Sequence, residues 1–130
     1  MIIQLVDKKL EMCKFWRMYF RGIDNVIVYE GDFFTLSTDC VVSPANSYGF
    51  MDGGLDLFIS LKLGWGVQEQ LQKQIRENHH GELLVGQAEL VETGHPDIPY
   101  CISAPTMRVP LILENTPNVY LSARAIFLML

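Results

Sequence analysis

Apolar residues run along this chain in short blocks separated by polar, glycine-bearing joints, and the spacing inside each block predicts its element. Residues 2–6 read as a short buried strand. Asp7 then caps a helix over 8–20, in which Leu10, Cys13, Trp16 or Arg17, and Phe20 recur at helical spacing before Gly22. Strands follow at 26–29 and 41–43, apolar throughout rather than alternating, the pattern of strands covered on both faces. A second helix opens at Asp56 and closes at Gly64. A third spans 66–80, with Val67, Leu71 and Ile75 as its inner stripe, Glu69 and Lys73 paired outside, and Gly81 at its end. Residues 87–92 and 100–104 read as strands about a turn holding Gly94, His95, Pro96, Asp97 and Pro99. Residues 119–130 read as a final helix. Strands alternating with helices in this order predict a three-layer α/β/α sandwich.

The richest segment is 39–64, DCVVSPANSYGFMDGGLDLFISLKLG, which passes from a buried strand through a glycine-bearing loop into a helix. Such an order makes an anion site. Cys40, Val41 and Val42 deliver Asn46 and Ser47 to a strand end, Gly49, Gly53 and Gly54 allow backbone to approach a ligand, and unpaired amides at the helix start face it.

The same segment resembles the macro domains, a family that binds ADP-ribose. Asp39, the strand Cys40 to Val42, the pair Ala45 and Asn46, then Gly53, Gly54, Leu55 and Asp56, with Gly64 beyond the helix, stand in the family's order. Upstream, Gly31, Asp32 and Phe33 follow Val26, Ile27, Val28 and Tyr29 as the family's Gly-Asp-hydrophobic step follows its second strand. Ser43 and Pro44 replace the usual Asn and Ala, and Asp52 replaces a first glycine. The resemblance implies a macro-domain-like sandwich with a mixed sheet, incomplete at the C-terminus, because the family continues past such a last helix into further strands and a second phosphate loop. Unpaired strand edges buried there are costly, so the fold closes differently, another chain or an oligomer completes it, or the chain is a fragment.

Composition narrows the classes. The chain has 130 residues and is 49% apolar, enough for one domain with a real core. Its net charge of −5 argues against a basic nucleic-acid surface, and Lys62 is the only basic residue between Asp39 and Gly64, so a bound diphosphate relies on backbone amides and a helix dipole. Cys13, Cys40 and Cys101 are odd in number and widely spaced, which supports neither a disulfide framework nor zinc ligation. The segment 1–6 is too short for a signal-peptide core and no apolar run reaches the ~20 residues of a membrane span, so a cytoplasmic location follows by default. No cofactor or metal is implied. His79 and His80 sit at a helix C-terminus with no acidic or thiol partner at ligand spacing.

By resemblance, Asp32 accepts a hydrogen bond from adenine N6 and Asn46 positions the hydroxyls of the distal ribose. Gly53 and Gly54 face the diphosphate, with Phe33, Ala45 and Leu55 completing the ligand-binding set. Asn46 and Asp56 are the catalytic pair if the chain hydrolyses ADP-ribosyl or ADP-ribose 1″-phosphate linkages, Asp56 activating water. Plainer roles compete: a turn residue for Asp32, local backbone bonding for Asn46, a helix cap for Asp56. The alternative function is a non-catalytic structural or interaction domain that has lost ligand binding. Tyr48 and Trp65 are candidate base-stacking residues, although core or rim packing is commoner.

Overall fold

A computed structural model describes all residues 1–130, which divide into two compact units, Met1–Ser37 and Thr38–Leu130. In the first, β1 (Ile3–Asp7) and β2 (Val26–Glu30) pair in parallel, Ile3 opposite Val26, joined by α1 (Leu10–Tyr19). Cys13 is fully buried and its thiol faces the carbonyls of Asp7 and Tyr29, anchoring α1 to both strands. Two expectations change here. Asp7 belongs to β1 and its carboxylate accepts from the Lys9 amide, so α1 begins after Lys9 with no side-chain cap of its own. Ile27 and Tyr29 are exposed and alternate with half-buried Val26 and Val28, so β2 has one open face.

The second unit contains β3 (Cys40–Ser43), α2 (Gly54–Leu63), α3 (Gly66–Asn78), β4 (Glu89–Glu92), β5 (Tyr100–Ser103) and α4 (Asn118–Met129). Its sheet is mixed, in the order β3, β5, β4, with β3 parallel and β4 antiparallel to β5. The five strands of the chain thus form two sheets, of two and three strands. Because β3 and β5 run the same way, the loops leaving Ser43 and Ser103 emerge at one edge, the place where α/β sheets offer ligands a crevice.

Hydrophobic periodicity located α3 well. Val67, Leu71 and Ile75 are all buried, each worth about 1.5–3 kcal/mol on transfer from water. The helix ends where His80 takes a positive φ and the Gly81 amide reaches back to the Ile75 carbonyl. The expected Glu69–Lys73 pair does not form; Gln70 and Gln74 bond at that spacing instead. α4 is held to the segment after β5 by the buried Ser122 hydroxyl, which donates to the Pro105 carbonyl, and by buried Ala125.

Candidate functional site

The loop from Pro44 to Gly53 is shaped by its own polar groups. Asn46 Oδ1 accepts from the amides of Tyr48, at 3.0 Å, and Phe50, while Nδ2 donates to the Phe50 carbonyl at 2.7 Å. The Asn46 carboxamide therefore ties the loop to itself. Gly49 serves packing rather than a ligand: at φ +71° it lies so close to α3 that a Cβ there would meet Ile75 Cδ1 at 2.9 Å. Met51 is fully buried, its amide held by Gln68 Oε1 and its carbonyl by the Ser60 hydroxyl, both at 2.7 Å. These contacts fix where the chain enters α2.

That helix starts two residues earlier than the sequence suggests. Gly53 is its N-cap, and no side chain caps it. The first-turn amides therefore lack the acceptors that helix geometry denies them. Gly53 and Gly54 are exposed, with open space where a Cβ would stand. Leu55 is half-buried and Ala45 buried. Asp56 is not the cap but lies inside the first turn, with its residue 7% exposed, and its Oδ1 accepts a hydrogen bond from the buried Ser43 hydroxyl. Burial raises the Asp56 carboxyl above its ordinary 3.8; the Ser43 hydrogen bond opposes that shift and the charge of Asp52 adds to it. Burial likewise pushes the neighbouring Cys101 thiol up to about 12, keeping it neutral.

Asn46 lies in the connection between β3 and α2, Gly53 is the N-cap that ends it, and Gly54 and Asp56 stand in the first turn of α2. Asp32 and Phe33 lie in the first unit, where Asp32 caps the single 3-10 turn Phe33–Thr35 through the Phe34 amide at 2.9 Å, and Phe33 packs edge-on against Phe34. Three features escaped the sequence reading. Ser43 is the partner of Asp56. Arg108 lies over the Tyr48 ring, 5.6 Å from its centroid, so Tyr48 stacks on a guanidinium, and Arg108 Nε bonds Glu82 Oε1 at 2.5 Å. His79 does have an acidic partner, Glu89 Oε2 at 2.6 Å, contributed by a strand ten residues on. No local spacing rule connects residues that only a sheet register or helix packing juxtaposes. Two shallow depressions, one along α1 at Glu11, Lys14, Phe15 and Met18 and one at the turn from Glu92 to Tyr100, touch none of the candidate residues. No cluster of three His, Cys, Asp or Glu side chains suited to a metal is present.

The macro domain family profile matches residues 42–123, from within β3 to within α4. The chain belongs to the macro domain family, and its α/β architecture is the macro fold. It is 31% identical over 101 residues to an uncharacterized protein of Aquifex aeolicus, a match covering 78% of this chain and 58% of that protein. The chain thus spans little more than half the length of that curated relative. Among solved structures, the Oryza sativa APL macrodomain in complex with ADP-ribose superposes with a TM-score of 0.74 at 13% identity, covering 99% of this chain and 76% of that one. The macrodomain of Mycobacterium tuberculosis DarG gives 0.61 at 22% identity over 78% and 64%. No helix is long and apolar enough to cross a membrane.

Proposed function

We propose that this chain binds ADP-ribose or a related nucleotide beside the loop joining β3 to α2, with the diphosphate over Gly53 and Gly54 and the distal ribose toward Asn46. The observation that carries the reading is the uncapped start of α2, where two glycines leave amides and a positive dipole end open to an anion. It is supported by the family membership and by ADP-ribose in the rice relative. Three unpaired cysteines fit a reducing, cytoplasmic setting.

Hydrolysis is the finer part of the proposal. Asp56 is not used as a cap, and burial makes its carboxylate a stronger base than an exposed one. In the proposed step, a water oxygen bonds to the anomeric carbon of the distal ribose, its proton passes to Asp56, and the bond to the leaving oxygen breaks. The competing reading, a domain that binds no nucleotide, draws on the Asn46 carboxamide, which already bonds its own loop. Calorimetry with ADP-ribose against AMP decides between them. Preference for ADP-ribose is expected; no binding, or equal affinity for both, would overturn the proposal.

A further inference from the structure

We infer that Ser43 is a positioning residue for Asp56: its hydroxyl holds one carboxylate oxygen in place and leaves the other for water or substrate. This rests on the reading of Asp56 as the base of the site. Ser43 ends β3 and is fully buried, and its single O–H donates to Asp56 Oδ1 across thirteen residues of chain. Other ways of holding the carboxylate are not in use. It caps no amide, since Gly53 is the N-cap without a side-chain bond, and it joins none of the ion pairs, which are Lys8–Asp32, His79–Glu89 and Arg108–Glu82.

The surroundings make this one bond decisive. Asp52, from the loop before α2, is a like charge, and Cys101, from β5, is a neutral thiol. The one lysine of α2, Lys62, sits in the last turn, at the opposite end of the helix from Asp56. Besides the positive end of the α2 dipole, Ser43 is thus the one side chain that favours the ionised form, and it fixes the carboxylate's direction, while Oδ2 has no hydrogen-bond partner. The sheet supplies an internal control. Ser103 pairs with Ser43 in the parallel β3–β5 register, so both project from the same face, and both are fully buried, yet the Ser103 hydroxyl has no partner. Ser43 ends the edge strand and Ser103 the central one, and only Ser43 bonds Asp56.

The test is a carbon-13 carboxyl titration of Asp56 by NMR in the full chain, for the parent protein and for Ser43→Ala, Ser43→Cys and Ser103→Ala. Loss of the hydroxyl in Ser43→Ala is expected to move the Asp56 midpoint further up, on the order of tenfold in proton affinity for one hydrogen bond to a charged group. Ser43→Cys, a near-isosteric weaker donor, shifts it in the same direction by less and carries the test if the alanine variant does not fold. Ser103→Ala leaves the midpoint where it was. An unmoved midpoint in the Ser43 variants, or an equal shift in Ser103→Ala, overturns the inference. ADP-ribose calorimetry on the parent protein is scored separately, so failure to bind ligand removes the base reading without touching the titration result.

Discussion

Replacing Asp56 by asparagine separates what this carboxylate does for function from what it does to stability. In the folded chain the group is buried with one hydroxyl donor and a like-charged neighbour, and its proton affinity is raised above that of the unfolded chain, which titrates near 3.8. Below pH 3.8 both states carry the proton and the folded state keeps its full advantage. As pH rises through the higher folded midpoint, the native carboxyl must ionise in a poor environment and that stabilisation is lost. An asparagine carboxamide at this position stays neutral at every pH and still presents an oxygen to the Ser43 hydroxyl. Asp56→Asn should therefore stabilise the protein at pH 7 by about 1–2 kcal/mol, within the range of single stabilising substitutions. Asp56→Ala should fall below Asp56→Asn by about 1–3 kcal/mol, because it leaves the buried Ser43 hydroxyl unpartnered. For a body the size of the second unit, each kcal/mol corresponds to about 4–8 °C in Tm. Trp65, between α2 and α3, reports the transition in a Trp16→Phe background. The advantage of the asparagine variant should shrink as pH falls toward 3. A loss of stability in Asp56→Asn at pH 7, or a gain that persists undiminished at pH 3, would refute the reasoning.

Gly53→Glu should abolish ADP-ribose binding with little change in Tm, because the backbone there is extended at φ −146° with open space for a side chain; binding that survives would place the diphosphate elsewhere. Gly54 is the poorer test, since at φ +57° any side chain adds about 1–2 kcal/mol of strain. Asn46→Ala frees three hydrogen bonds of the loop and should cost about 1–3 kcal/mol in urea denaturation, with Asn46→Asp, which keeps both acceptor bonds, recovering part of it. Glu89→Ala should cost roughly 2 kcal/mol by the same assay, since Glu89 accepts from His79, Gln74 and Asn78 at once; a value near zero would mean that water replaces all three.

Much of this protein is written in local patterns. The 3.6-residue recurrence of Val67, Leu71 and Ile75 located α3, short apolar runs located the strands within two residues at each end, and the order Asp39, Ala45, Asn46, Gly53, Gly54, Asp56, together with the upstream Gly31, Asp32 and Phe33, indicated the macro family that the profile match shows. These features depend on backbone propensity and on glycine geometry, which act over a few residues. What the sequence did not contain was the use each polar group finds. Asp56 looked like a helix cap because it precedes an apolar run, but α2 starts at Gly54 and the carboxylate turns to Ser43. Gly49 looked like a ligand approach but makes room for α3, and His79 looked solitary until β4 brought Glu89 beside it. Hydrogen bonds across 10 to 13 residues, and the parallel register that sets Ser43 beside Ser103, come from packing whole elements together. Tertiary structure alone assigns those partners, because a buried polar group bonds whichever donor the fold brings within reach.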